Sequence, residues 1–430
     1  MIQPFAGKRF AIVGLGRAGL PAARRLRELG AELVLWDDDE ASREAASEEQ
    51  FILSRPSASG TKFDALLLSP GIPHRLPKPH SEAVWALEHD IPILTDAELL
   101  YQAVRKLGSK ARFAGITGTN GKSTTTALLA HILTVAGVPN AAGANFGPAA
   151  LALPLLPDNG VYVLEMSSYM LERLATLRFD VAAMLNLSPD HLDRHGDMAG
   201  YEAAKQEIFA RQDDSCTAVI GIDDALSRTV AEWLKTLPAK VIEISGKGHD
   251  TGAEALRGEH NAQNALAAAA LARALDVPDA AITDGIRTFP GLAHRAQQVA
   301  IREGVRFIND SKATNADAAS RAMGVFERFV WIAGGVAKAG GIDDLAPFFS
   351  RIEKALLIGR DGEVFAKRLS EAGVVNEYVE TLEKAVPAAF DAARAGCRVV
   401  LFSPATASFD QFPNFEKRGE RFTVLAKGEA

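Results

Sequence analysis

The stretch that most constrains this chain is FAGITGTNGKSTTTALLAHILTV, from Phe113 to Val135. Its short apolar run, Phe113 to Ile116, predicts a buried strand. The run breaks into the loop Gly118-Thr119-Asn120-Gly121, and Lys122 and Ser123 follow at once. A helix starts there, with Leu128, Ile132 and Val135 on one apolar face and Gly137 as its stop. Strand, glycine loop, Lys-Ser and helix, in that order, build a phosphate cradle. Loop N–H groups turn inward, the helix N-terminus adds partial positive charge, Lys122 adds a full charge, and Ser123 can ligate magnesium. Ile116 stands where the strict Walker pattern has its first glycine. The shorter G-x-x-G-K-S pattern competes with an ordinary helix N-terminus carrying a solvated lysine.

A chain of 430 residues is too long for one core, and its length suggests about three domains. With 47% hydrophobic and 23% charged residues it has the composition of a soluble globular protein. A formal net charge of −7 and the lack of a basic run argue against nucleic acid or an anionic membrane as the main partner. The two cysteines, Cys216 and Cys397, have no metal-ligand spacing and suit a reducing compartment. The first ten residues lack the apolar core of a signal peptide, and no run of about 18 apolar residues occurs. A cytoplasmic location and no stable membrane association are expected.

The chain opens on a strand, Arg9 to Val13, followed by Gly14-Leu15-Gly16-Arg17-Ala18-Gly19, a helix to about Leu29, and a strand from Glu32 to Trp36 ending at Asp37. This G-x-G-x-x-G unit with a following acid fits NAD, another nucleotide such as an adenine nucleotide or a UDP-sugar, or tight packing alone. A strand from Phe63 to Leu68 runs into Ser69-Pro70-Gly71-Ile72-Pro73, a turn at the sheet edge where ligands sit in open α/β folds. Ile91 to Leu94 reads as the last strand, with Thr95-Asp96 capping a helix, and a boundary falls near residue 97. In the next segment Glu165 ends a strand, Val161 to Met166, beside the phosphate loop, the usual place for a magnesium carboxylate. The cluster Ser188-Pro189-Asp190-His191-Leu192-Asp193-Arg194-His195 follows a strand from Val181 to Leu187. His191 is a candidate ligand or a surface histidine, and Lys205, judged by helical spacing alone, reads as exposed. Asn261 and Asn264 share one helix face. A second boundary falls near Phe289-Pro290-Gly291. Beyond it, strands at Val305 to Ile308, Phe329 to Ala333, Ala355 to Ile358 and Arg398 to Phe402 predict a second open α/β sheet. Asp310 and Lys312, two apart at a strand end, could meet a nucleotide or simply pair with each other.

These stretches line up, in order, with one family: the chain resembles the Mur ligases. The match is carried by GLGRAG, SPGI, GTNGKST, GANFG, EMSSYMLE, NLSPDHLDRH, the helix with Lys205, EHNAQNALAA, GLAHR, INDSKATN, GGVAK and SPATASFDQFPNFEKRGERF. The last of these looks like the ending of the D-glutamate-adding members. The Asn-Pro-Arg type signature of the diaminopimelate or lysine adders is absent.

The resemblance implies an α/β chain of three domains. These are an N-terminal Rossmann-like UDP-binding domain (1–97), a central P-loop ATPase-type domain (98–290) and a C-terminal Rossmann-like domain for D-glutamate (291–430). Gly118, Thr119, Asn120, Gly121, Lys122, Ser123 and Thr124 would cradle ATP. Ser123 and Glu165 would hold one Mg²⁺, and His191 and Lys205 a second, with Lys205 carboxylated on its amine. Asn264, Arg295, Asp310 and Lys312 would line the nucleotide and acyl-phosphate site. Leu15, Gly16, Ser69 and Gly71 would hold UDP, with Asn145 and His191 on the muramoyl side. Thr314, Lys338, Ser408, Phe409 and Phe415 would place D-glutamate. The implied reaction joins D-glutamate to UDP-N-acetylmuramoyl-L-alanine through an acyl phosphate and a tetrahedral intermediate, within peptidoglycan precursor synthesis. Lys122, Glu165, His191 and Lys205 would be its catalytic residues, and domain closure would keep water from the acyl phosphate. Met170 stands where the family often has glutamine, and Asp37-Asp38-Asp39 lacks a basic residue sometimes found beside the uracil.

Overall fold

The computed structural model describes residues 3–337 and 340–429. They divide into two compact units, Met1–Phe289 and Pro290–Ala430.

The first unit holds two sheets. One, in the order β2-β1-β3-β4, is built from β1 (Arg9–Val13), β2 (Glu32–Trp36), β3 (Ala65–Leu68) and β4 (Ile93–Leu94), all parallel. The chain leaves β1 for β2 on one side and β3 on the other, so the loops after β1 and β3 flank a switch point, the place where open α/β sheets bind ligands. The second sheet holds β5 (Arg112–Thr117), β6 (Asn140–Ala144), β7 (Val161–Glu165), β8 (Val181–Met184), β9 (Thr217–Gly221) and β10 (Lys240–Ile244). Its order is β10-β9-β8-β5-β7-β6, again all parallel. Here β5 lies between β7 and β8, so the loops that follow these strands open side by side at one sheet edge.

One apolar core runs through both sheets, from Phe10, Ile12 and Leu67 through Leu100 and Val104 to Phe113, Tyr162 and Ile220. The Phe113 ring stacks on Tyr162 at 4.8 Å and meets the edge of Tyr101 at 5.1 Å. The helix Asp96–Lys106 adds polar ties to that core. Buried Glu98 accepts the backbone N–H groups of Ala175, Thr176 and Leu177 at 2.9–3.1 Å. Asp96, read from sequence as a helix cap, instead accepts the N–H of Ala150 at 2.6 Å. The Thr95 side chain makes no cap hydrogen bond either. The boundary expected after residue 97 thus falls inside a helix whose carboxylates fasten the second sheet's loops.

The second unit carries β11 (Gln297–Arg302), β12 (Val305–Asn309), β13 (Phe329–Gly334), β14 (Ile352–Ile358), β15 (Asn376–Glu380) and β16 (Val399–Phe402). Their order is β11-β12-β16-β13-β14-β15, parallel except for the antiparallel edge strand β11. Alternate residues of β13 face opposite cores: Phe329 and Trp331 join Leu357 and Leu401, while Val330 and Ile332 join Leu356 and Val400.

Helix Lys122–Val135 forms where the spacing predicts, but its buried stripe is Leu128, Leu129, Ile132 and Leu133, and Val135 is exposed. Strands β6, β9, β10, β11 and β15 have no counterpart in the sequence reading. β6 (NAAGA) and β15 (NEYVE) are edge strands without an apolar run, which removes the usual signal. No helix among the described residues is long and apolar enough to cross a membrane.

Candidate active site

The phosphate-type loop leaves β5 between the ends of β7 and β8. Gly121 caps the helix with φ of +85°, which favours glycine, and a Cβ there would lie 2.2 Å from Asn264 Oδ1 and displace that side chain. The rear of the loop is fastened by Asn186, beyond β8. It takes the Thr119 N–H on its carbonyl at 2.9 Å and the Asn120 N–H on its side chain at 2.8 Å. Those two N–H groups therefore do not point inward as the sequence suggests. Lys122 Nζ reaches back to the carbonyls of Gly118 at 3.0 Å and Thr119 at 2.8 Å.

Lys205 is the clearest departure from the spacing argument. It is only 2% exposed, and its ammonium donates to the Gly118 carbonyl at 2.8 Å and Thr117 Oγ1 at 3.3 Å, and lies 4.8 Å over the Tyr201 ring. Burial, with Lys122 nearby, pushes its pKa well below the ordinary lysine value, and Asp190 and Glu165 only partly oppose this. The helix Met198–Gln206 starts from an Asp197 cap and turns Lys205 inward beside Tyr201 and Ala204. Helical period alone cannot tell that face from the solvent face.

Glu165 ends β7 and is buried. Asn145, in the loop after β6, donates to Glu165 Oε1 at 2.6 Å, while Glu165 Oε2 is buried with no hydrogen-bond partner. A buried carboxylate oxygen without a donor is costly, and a cation beside it would remove that cost. Ser123 is buried at the start of the neighbouring helix. His191 sits in left-handed backbone geometry (φ 52°) at the head of the short helix Leu192–His195. Its ring is half-exposed, 5.0 Å from Tyr169, with Asp190 Oδ2 at 3.4 Å. Burial lowers its pKa, with Asp190 pulling the other way. Among the described residues no group of three or more His, Cys, Asp or Glu side chains is arranged to hold a metal.

The first sheet contributes a cavity of about 150 Å³ lined by Arg17, Ala18, Ser69, Pro70, Asp96, Ala144, Asn145, Ala149 and Met170. Ser69 and Asn145, both picked from sequence, meet there, and Gly16 and Gly71 are exposed in the adjoining loops. Leu15 does not line this cavity. Its side chain is in the core, and its N–H is held by Asp37 Oδ2 at 2.6 Å. Arg17 and Ala18, between the glycines of the same loop, line it instead, and no local signal sets them apart from the glycines. Asp37 also accepts the N–H of Asp39 on its other oxygen at 2.9 Å. An NAD site would aim this carboxylate at a ribose, so the dinucleotide reading loses its anchor.

Thr124, half-buried, and Asn264, buried, belong to the first unit, and the other candidates lie in the second. Asp310 is buried, with Oδ2 accepting Ser403 Oγ at 2.7 Å and Oδ1 accepting the Ala296 N–H at 3.1 Å; burial raises its pKa to about 7. Lys312 Nζ lies 3.9 Å over the Phe415 ring. Arg295 is exposed, Thr314 half-buried, Ser408 buried, and Phe409 75% exposed. Lys338 lies outside the described residues.

Residues 116–272 match the Mur ligase middle domain, and residues 294–406 match the Mur ligase glutamate ligase domain. The chain is 46% identical, over 99% of its own length and 97% of the relative's, to UDP-N-acetylmuramoylalanine--D-glutamate ligase from Caulobacter vibrioides. It is 44% identical, over 98% and 96%, to the protein of that name from Paramagnetospirillum magneticum. Among solved structures it is similar in fold to UDP-N-acetylmuramate-alanine ligase from Thermotoga maritima, with a TM-score of 0.58 at 17% identity over 98% of this chain and 100% of that one. The phosphate loop, the parallel sheets around it and near-full-length identity agree: the chain belongs to the Mur ligase family.

Proposed function

We propose that the chain is an ATP-dependent ligase that forms the amide bond between UDP-N-acetylmuramoyl-L-alanine and D-glutamate, in peptidoglycan precursor synthesis. The observation that carries the chemistry is the convergence of Lys122, Lys205 and the partnerless Glu165 oxygen on one phosphate loop. The choice of substrates is supported by the 46% identity, over nearly the whole of both chains, to a relative named for that reaction.

A carboxylate resists attack by an amine, so the alanine carboxylate must first be activated. Its oxygen attacks the γ-phosphorus of ATP, the bond to ADP breaks, and an acyl phosphate forms. The D-glutamate amine then adds to the acyl carbon, loses a proton, and the tetrahedral intermediate expels phosphate. The first turn of helix Lys122–Val135 binds phosphate oxygens, and Lys122 exchanges its loop carbonyls for them. Thr119, Asn120 and Thr124 shape the walls, and Asn264 holds the base side. Ser123 and Glu165 would hold one Mg²⁺, which when bound neutralises charge on the phosphate oxygens. A second would need His191 and a Lys205 that has lost its positive charge. Burial favours the neutral amine of Lys205, the form that adds carbon dioxide, and the resulting carbamate would be an anion.

Gly16, Arg17, Ser69 and Gly71 hold the uridine diphosphate, with Asn145 and His191 on the muramoyl side. Arg295, Asp310 and Lys312 serve the nucleotide and acyl phosphate, and Thr314, Lys338, Ser408, Phe409 and Phe415 serve D-glutamate. Ligand binding divides among domains 1–97, 98–290 and 291–430, in a cytoplasmic monomer.

The test is phosphate release from ATP with UDP-N-acetylmuramoyl-L-alanine, with D-glutamate, with L-glutamate, and with neither. Release that needs both substrates and the D isomer is the expected result. Turnover indifferent to either substrate would overturn the assignment.

A further inference from the structure

The loop Leu68–Ile72 is gripped from the second sheet by two arginines. Arg173, 3% exposed, donates from Nη1 to the carbonyls of Leu68 at 2.8 Å and Ser69 at 3.2 Å, and from Nη2 to Ile72 at 2.7 Å. Its Nε and Nη2 also lie 3.4 and 3.3 Å from His74 Nδ1. Arg194 donates to the carbonyls of Gly71 at 3.1 Å and Pro70 at 3.5 Å. Every carbonyl from Leu68 to Ile72 is therefore turned towards a guanidinium.

Behind the arginines the contacts run on to the phosphate loop. Glu172 lies 3.6 Å from His74 Nε2 and 3.4 Å from His195 Nδ1, and His195 Nε2 is 2.9 Å from Ser168 Oγ. The Tyr169 ring stacks on His195 at 5.6 Å and carries the Arg194 guanidinium at 4.2 Å. Tyr201 packs 5.4 Å from His195, and its hydroxyl is 3.2 Å from Thr119 Oγ1.

We propose that Arg173, seconded by Arg194, is a positioning residue for the reaction: it fixes the uridine-diphosphate loop to the strand ends that carry the phosphate-handling residues. The inference rests on the reading of that loop given above. Two physical points support it. Carbonyl oxygens facing a diphosphate would repel it, and turning them onto guanidinium groups withdraws that negative edge. A guanidinium buried in protein and bonded largely to carbonyls is an expensive way to hold a loop, since apolar packing would hold it at least as well. Its compensating gain is a loop with one fixed geometry beside the acyl-transfer site.

The test compares wild type with Arg173→Leu and Arg173→Lys, by calorimetric titration of UDP and by steady-state kinetics. Arg173→Leu should weaken UDP and raise KM for the UDP-substrate about tenfold, leave KM for ATP within about twofold, and Arg173→Lys should fall between. If Arg173→Leu does not fold, Arg194→Leu carries the same comparison from the loop's outer side. Equal rises in both KM values, or unchanged UDP affinity in a folded variant, would overturn the proposal. Failure of the wild type itself to bind UDP would instead overturn the reading of the loop, and the proposal with it.

Discussion

Two glycine loops in the first unit share a plan and differ in outcome. Gly14–Gly19 follows β1 and opens helix Gly19–Glu28; Gly118–Gly121 follows β5 and opens helix Lys122–Val135. Both put a helix N-terminus at a parallel sheet edge. In the first, Asp37 takes the Leu15 N–H, the neighbouring loop packs so tightly that a Cβ on Gly14 would lie 2.5 Å from Ser69 Cβ, and the cationic contribution is the exposed Arg17. In the second, Asn186 holds the rear of the loop, and two lysines bond to the Gly118 carbonyl, one of them buried. The difference teaches that a glycine loop announces an approach of backbone to ligand, while the side chains converging from other strands decide what is handled there. One loop suits a diphosphate that is only held. The other suits a phosphoryl group that moves.

The contrast breaks most sharply at the two loops' cations. Lys122→Ala should lower phosphate release at least about a thousandfold. Arg17→Ala should leave kcat alone and raise KM for the UDP-substrate only a few-fold, by about 1 kcal/mol or less. Comparable losses of kcat in both variants would dissolve the distinction. Lys205→Ala should cost about a hundredfold or more, with partial recovery in millimolar formate or acetate; no recovery in a folded variant would count against a carbamate at this position. The glycines sharpen the comparison further. Gly121→Ala should destabilise by about 1–3 kcal/mol and weaken ATP. Gly14→Ala, through Ser69, should weaken the UDP-substrate and spare ATP. Thermal melts with titrations of each nucleotide separate the two, and a shared loss of both ligands would deny that the loops serve different ones.

The smallest effect concerns His74, beside the first loop's partner. Burial, then Arg173, Arg75 and Arg194, hold its pKa down at about 4, with Glu172 Oε2 lying 3.6 Å from its ring. With an unfolded value near 6.5, the neutral ring binds fewer protons folded than unfolded between those values. Its contribution to stability is therefore complete above about pH 6.5 and is lost as the pH falls through about 4. Denaturant midpoints from pH 7 to 4 should drop less steeply in His74→Gln than in wild type. Parallel curves would remove His74 from the account.

Sequence reasoning located the phosphate loop, the strand-end Glu165, the Ser69 turn and most buried strands, because each carries a local signal: a glycine pair, an apolar run, a turn dipeptide. It was weaker where the signal is not local. Lys205 lies on a short helix with no marked apolar stripe, and only packing against Tyr201 and the loop shows that it is buried. Asp96 reads as a helix cap, yet it and Glu98, which carries no local signal, accept backbone N–H groups more than fifty residues away. Arg43 and Arg55 gather beside Asp37–Asp39 through space, 4.9 and 4.8 Å over the Trp36 ring, a cluster that no local signal announces.

By itself the sequence determined the family and those elements that carry a local signal. Strand, loop and helix signals depend on neighbours within a few residues, and the ordered motifs need no coordinates to be aligned. The tertiary structure decided the chemistry of individual side chains. It placed Lys205 in low dielectric beside Lys122, left one Glu165 oxygen without a donor, gave Leu15's N–H to Asp37, and set Arg173 against a loop a hundred residues earlier in the chain. Solvation and hydrogen bonding act through space, over a few ångströms, between residues that the sequence keeps far apart.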